Sequence, residues 1–172
     1  MASCMEDNQL HEPCFGIIWD GTGWGEDQTI WGSEFLIGDL NSYQRCGSIL
    51  PIPLLGGEKA IHEIARIALA MSWQTDKEIA LLEDSTQENL KKIGRHASVF
   101  SSGMGRLLDG FYSLITKKTH QTYEGQAPVA LEAMAKPVAK RYPTAYQTKN
   151  KIRYFDWTPM VKACLEDTDP QE

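Results

Sequence analysis

Residues 15–40, FGIIWDGTGWGEDQTIWGSEFLIGDL, constrain the fold more than any other stretch of this chain. Phe15, Gly16, Ile17, Ile18 and Trp19 form a short run of β-branched and aromatic residues, which predicts a strand buried on both faces. Asp20 then falls at the C-terminal tip of that strand. Gly21, Gly23 and Gly25 follow at every second position, where missing Cβ atoms permit positive φ and let backbone N–H groups converge on an anion. A carboxylate for a cation beside amides for a phosphate is the minimum equipment of a nucleotide site. Asp-Gly followed by Thr-Gly is equally ordinary hairpin chemistry, and alternation resumes at residues 29–36, so both readings stay open on local pattern.

Around this stretch the chain divides by period. In residues 29–40 both registers carry apolar groups, which predicts a second strand covered on both faces. Residues 43–50 read as a third strand ended by Pro51 and Pro53, and the short links predict an antiparallel meander. A helix is expected over 59–73, with Ile61, Ile64, Ala65, Ala68 and Met71 at helical spacing. A more polar one is expected over about 76–95, with Ile79, Leu82, Leu90 and Ile93 inward.

Ser101 and Ser102 are N-cap candidates for a strongly amphipathic helix over 104–116, in which Met104, Leu107, Leu108, Phe111, Leu114 and Ile115 share one side. Another helix begins near Glu124, with Pro128 tolerated in its first turn, and passes Leu131, Met134, Ala135 and Val138. Residues 151–157 alternate as a strand, and Thr158-Pro159 opens a short helix over 160–165, with Thr158 as cap and Pro159 at the first helical position. The final DTDPQE is expected to fray. At the start, residues 1–8 suit a short helix. One partial domain is therefore expected: β-rich over 1–55, helical over 56–140, and a strand with a short helix over 141–172. The fold class is α/β with α+β mixing.

Composition narrows the partners. The 172 residues are 42% apolar and carry a net charge of −6, so no basic field awaits a phosphate backbone, and nucleic acid is not an expected ligand. No run approaches the roughly 18 apolar residues of a membrane span. The opening MASCMEDNQL lacks the basic and apolar regions of a secretory signal, and a cytoplasmic location is the expectation. Cys4, Cys14, Cys46 and Cys164 make no C-x-x-C pair, which fits reduced, mostly buried thiols. His11, His62, His96 and His120 lie far apart and are read as surface residues, and no hydrolytic triad signature is present.

Four segments in order, IIWDGTGWGEDQTIWGSEF, PIPLLGGEKAIHE, SSGMGRLLDGFYSLI and TYEGQAPVALEAMA, resemble at similar spacing the C-terminal part of HypF-type carbamoyltransferases, which mature nickel–iron hydrogenases. The resemblance covers residues 2 to about 167. It implies the first lobe of an actin-like, ribonuclease-H-like fold that holds an ATP-derived nucleotide, carbamoyl-adenylate, between two lobes. It also implies passage of the carbamoyl group to the C-terminal cysteine of a HypE-type partner. By the same resemblance Asp20 matches a divalent-metal (zinc or iron) aspartate, and Gly21, Thr22 and Gly23 match a phosphate-approaching turn. Glu34, Arg106, Asp109, Glu124 and Gly125 fall on family motifs without an assigned role.

The chain departs from the family pattern in places. Gln28 and Ser33 stand where glycines are usual, and Gly103 where serine is usual. The family's metal-binding histidines would precede Ala2, and its second lobe would follow Asp167. The expectation is thus a carbamoyltransferase fragment inactive on its own, requiring a complementary lobe or fragment. The alternatives are a non-catalytic interaction module that docks through an exposed apolar face, or a fragment of an O-carbamoyltransferase.

Overall fold

The computed structural model describes residues 1–137 and 141–167. Three strands open the fold after a short helix α1 (Ala2–Asp7): β1 (Cys14–Trp24), β2 (Ile30–Gly38) and β3 (Tyr43–Ile49). β1 pairs antiparallel with β2, and β2 with β3, which is the meander expected from the short links. Two-residue strands β4 (Ile52–Pro53) and β5 (Phe100–Ser101) pair with each other, and β5 joins β2 in parallel at Ile30. A C-terminal hairpin, β6 (Ala145–Lys149) and β7 (Ile152–Asp156), completes one mixed seven-stranded sheet, with β7 parallel to β3.

Helices cover one side. α2 (Lys59–His62) and α3 (Ala65–Trp73) replace the single helix expected over 59–73, because the backbone breaks at Glu63 (φ −90, ψ 70). α3 is buried almost all round, as a central core helix must be. It crosses α5 (Met104–Thr116) at Gly110, where an added Cβ would strike the Met71 thioether and the Ile67 side chain. α5 has the bounds its periodicity predicts. It ends at Lys117 in the left-handed region, whose N–H closes onto the Ser113 carbonyl. α7 (Thr158–Glu166) is tied to the sheet by Trp157, which is fully buried and donates its indole N–H to the Leu50 carbonyl at 2.7 Å.

The structure corrects several expectations. The polar helix, α4, covers only Asp84–Gly94, and of its expected inward residues Leu90 is buried while Ile93 is exposed. α6 spans Gln126–Met134, so Ala135 lies just past its end, and Val138 lies outside the described residues, as do 168–172. The β6–β7 hairpin needs positive φ at both Asn150 (50°) and Lys151 (65°), the signature of a primed turn. Asn-Lys signals that turn far more weakly than Asn-Gly, so β6 goes unread in the sequence. At α7 it is the Asp156 carboxylate that accepts from the Thr158 N–H and hydroxyl, rather than Thr158 acting as cap. Of the four free cysteines only Cys164 is buried, and Cys4 is exposed.

The largest correction concerns β1. Phe15, Ile17 and Trp19 are 57%, 57% and 64% exposed, so this strand is covered on one face only. Phe15 pairs with Ile37 and Ile17 with Phe35, and with Tyr146 they leave an apolar sheet face open beside a groove of about 610 Å³. β2 is more enclosed, with Gly32, Ser33 and Glu34 buried, but Ile37 is exposed, so it too lacks cover at that end. Among the described residues no helix is long and apolar enough to cross a membrane.

Candidate functional site

Asp20 does not end a strand, and Gly21-Thr22-Gly23 is not a turn. β1 continues through them to Trp24, and its register against β2 slips between Trp19 and Gly23. Trp19 faces Ser33 and Gly23 faces Trp31, so three residues of β1 stand over a single β2 residue, Gly32. Gly32 is what permits this. A Cβ there would run into the Asp20 carbonyl and into the Cα of Gly103, so its absence lets the bulge and the start of α5 close over β2 together. The tight turn lies further on, at residues 25–28, where the Gly25 carbonyl accepts from Gln28 and the Gly25 N–H donates to the Thr29 carbonyl. Gln28 takes φ +63 there, a conformation that glycine adopts without cost.

Neither Ser101 nor Ser102 caps α5. The cap position is Gly103, with no side-chain bond to the helix. The Ser101 hydroxyl accepts from the Gly103 N–H at 3.0 Å, and the Ser102 hydroxyl donates to Glu34 Oε1. Glu34 is buried and also receives the Ser48 hydroxyl at 3.2 Å, while its other oxygen is paired with Arg45. Arg45 continues to Asp27 at 2.7 Å and lies over the Trp31 ring, 4.3 Å from its centroid. Burial raises the Asp27 pKa, but hydrogen bonds from Thr29 and Trp31 and the Arg45 charge outweigh it and hold the carboxyl below its usual range. This cluster joins β2, β3 and the start of α5.

Past that joint, α5 places Arg106 and Asp109 on its inner side. Arg106 is 3% exposed and Asp109 is fully buried. Arg106 Nε lies 2.9 Å from Asp109 Oδ2 and Gln121 adjoins the same carboxyl, yet neither reaches good hydrogen-bond alignment, so both Asp109 oxygens lack a well-formed partner. Burial pushes the Asp109 carboxyl up to about 6, with the Arg106 charge pulling the other way. Arg106 Nη2 reaches Glu124 Oε1 at 3.2 Å, just before Gly125 (φ +90) at the start of α6.

Two adjoining cavities open at this point. One, of about 640 Å³, is lined by Trp19, Asp20, Thr22, Gly105, Arg106 and Glu124, with Gly125 and Pro128 at its α6 side. The other, of about 270 Å³ and mostly apolar, is lined by Thr22, Ile30, Leu54, Glu58, Ile61 and Arg106 among others. Thr22 and Arg106 are common to both. Thus the four sequence segments, far apart in the chain, meet around one threonine and one arginine.

The structure therefore brings Asp20, Thr22, Arg106, Glu124 and Gly125 together. Gly23 is not among the lining residues, and Glu34 belongs to the neighbouring joint with Arg45. Trp19, Gly105, Glu58 and Ile61 are additional lining residues. Their signal in the sequence was only their place inside the four segments. All four histidines are exposed, and among the described residues no group of three or more His, Cys, Asp or Glu converges to hold a metal. A cation at Asp20 would need donors from elsewhere, since tight transition-metal sites take three or four ligands.

A sequence model of the family described as "Carbamoyltransferase, Kae1-like Domain, second subdomain" matches residues 16–172. The motif resemblance implied a first lobe, whereas that description numbers the region as the second subdomain. Carbamoyltransferase HypF of Synechocystis sp. is 35% identical over 188 residues, which takes in 95% of this chain and 24% of that protein. Carbamoyltransferase HypF of Rhizobium leguminosarum bv. viciae is 32% identical over 143 residues, 79% of this chain and 19% of the relative. A crystal structure of full-length HypF in its phosphate- and nucleotide-bound form superposes with a TM-score of 0.86 at 31% identity, covering 96% of this chain and 27% of that one. T. kodakarensis HypF gives a TM-score of 0.76 at 21% identity over 97% of this chain and 24% of that one, a likeness of fold. The chain spans about a quarter or less of the length of these proteins.

Proposed function

Because this chain belongs to the HypF family of carbamoyltransferases, we propose that it forms part of a carbamoyl-transfer site and takes the phosphate-bearing end of a carbamoyl-adenylate in the paired cavities. The observation that carries this reading is the convergence of all four segments on Thr22 and Arg106. A similar structure bound phosphate and nucleotide, which supports a ligand of this class. Thr22 offers a hydroxyl to a phosphate or carbamoyl oxygen, Arg106 offers a guanidinium, and Trp19 offers an exposed aromatic wall. The proposed reaction is attack by the C-terminal cysteine thiolate of a HypE-type partner on the carbamoyl carbon. A C–S bond forms, the C–O bond to the adenylate phosphate breaks, and AMP leaves with the electron pair. The Asp20 carboxylate alone does not make a metal site, so no step is routed through a cation.

The chain alone is proposed to bind nucleotide without turnover. Titration calorimetry with adenosine nucleotides is expected to show saturable binding that weakens about tenfold in Thr22→Val, as loss of one hydrogen bond to a charged group predicts. Carbamoyl-phosphate-dependent ATP–pyrophosphate exchange is expected to be absent. No binding would sink the assigned site, and robust exchange would sink the claim that the chain needs further parts.

A second reading is favoured by the open sheet face. Phe15, Ile17, Trp19, Ile37 and Tyr146 form a contiguous apolar surface of the kind that marks interaction sites. We propose that a complementary part of the same enzyme family covers it. Trp19 borders both this face and the cavity, so covering the face would also wall the site.

A further inference from the structure

We propose that Arg106 is the anion receptor of the paired cavities and that Glu124 is a displaceable counter-ion that occupies it until a ligand arrives. This rests on the reading that the cavities take a phosphate-bearing ligand. Among the described residues Arg106 is the only cationic side chain lining either cavity, while Asp20, Glu58 and Glu124 line them with negative charge. Any anion bound there has to be met by this guanidinium, the Thr22 hydroxyl and backbone amides, and the first residues of α5, Met104 and Gly105, line the same wall without a side-chain cap on the helix.

The two carboxylates on Arg106 differ in what they are able to do. Asp109 sits three residues further along the same helix, is fully buried, and has no path to solvent. It fixes the guanidinium from behind. Glu124 is 55% exposed and precedes Gly125 in the left-handed region at the entrance to α6, so its carboxylate is able to swing into water without moving a core element. It touches Arg106 through one oxygen at 3.2 Å, a single contact. A phosphate presents several oxygens to the same planar fork, and bidentate contact of that kind is stronger and more directional. Exchange of Glu124 for phosphate therefore keeps Arg106 neutralised throughout while improving its contacts.

The plainer role for Glu124 is to pin α6 to α5, and the two roles part under titration with inorganic phosphate. A single contact to a solvent-exposed carboxylate is worth about 0.2–1 kcal/mol, so removing the competitor in Glu124→Gln is expected to tighten phosphate binding by about 1.5- to fivefold. Glu132→Gln, which removes one exposed negative charge elsewhere on α6, is expected to leave the affinity unchanged. Arg106→Lys, checked for cooperative unfolding, is expected to weaken phosphate at least tenfold, because an ammonium lacks the fork. If wild type binds phosphate but Glu124→Gln binds no tighter than Glu132→Gln, the displaceable counter-ion is wrong and the site reading stands. If neither wild type nor Glu124→Gln binds phosphate, both fall.

Discussion

Among the described residues two arginine–carboxylate pairs are buried on both sides, and they are built differently. Glu34 and Arg45 sit where two strands and the start of α5 meet, and Glu34 also receives the Ser48 and Ser102 hydroxyls. Arg106 and Asp109 sit one turn inside α5 against two cavities, with both Asp109 oxygens lacking a well-formed partner. A buried ion pair offsets its desolvation only when geometry is good and the remaining lone pairs are met. The first pair comes nearer to that condition, with both Glu34 oxygens met and Arg45 Nη2 its one buried atom left without a partner, and it serves as a joint. The second falls short of it beside a groove, which is where unmet polar groups point toward ligand chemistry rather than architecture.

The sharpest way to break this contrast is Glu34→Gln. It leaves the largely buried Arg45 with only the half-exposed Asp27 as counter-ion, and loss of one partner of a buried pair costs up to about 3–5 kcal/mol. Denaturant unfolding is expected to show that loss, together with a loosened start of α5, because Ser102 loses its charged acceptor. A cost below 1 kcal/mol would mean that the joint is no better built than the Arg106 pair.

Asp109→Asn tests the second pair and is expected to cost less, about 0–2 kcal/mol at pH 7. Breaking the pair again costs roughly 3–5 kcal/mol, but about two units of raised pKa correspond to about 3 kcal/mol of penalty on the ionised form that the amide removes. The pH dependence is the clearer readout. The folded carboxyl, at about 6 against an ordinary 3.8, holds its proton more tightly than the unfolded one. Stability should therefore fall as pH rises from about 4 to 6 and then level off. Asp109→Asn should flatten that slope, and a slope that survives would assign it to another group. Asp27 runs the opposite way: its folded pKa is depressed, so the stability it contributes is present above pH 3.8 and is lost as pH falls through the lower folded value.

How much of this was legible follows from how local each feature is. α5 was readable to the residue because its apolar side recurs at 104, 107, 108, 111, 114 and 115 within one helix. The meander was readable from short links. The bulge at Asp20 was not: Gly-Thr-Gly reads locally as a turn, and only the pairing of Gly32 beneath it, with Gly103 closing from above, makes it part of a strand. Ser102 reads as a cap because its neighbours are helical. Its hydroxyl is claimed by Glu34, 68 residues away, and no window on the sequence contains both. The candidate site was half legible in the same sense. Asp20 was named for its chemistry, and Thr22 only through the resemblance. Arg106 and Glu124 were named only for their position, since their roles depend on which helices meet.

Gln28 offers the finest test of the difference between the two pairs. It holds φ +63 in the turn that delivers Asp27 to Arg45, a conformation that costs an L-residue about 1–2 kcal/mol. Glycine removes that strain but frees the unfolded chain by about 0.5–1 kcal/mol. The net expectation for Gln28→Gly is a gain of about 0.5 kcal/mol, seen as a rise in Tm of about 1–2 °C. Because the turn belongs only to the Glu34–Arg45–Asp27 cluster, the pH 4–6 slope assigned to Asp109 should not change. A gain that also altered that slope would show the two clusters to be coupled through α5, since Ser102 and Arg106 lie four residues apart at its start. An unchanged slope with a small gain would show that the joint is tuned by its own turn, and that the groove around Arg106 is free to respond to a ligand independently.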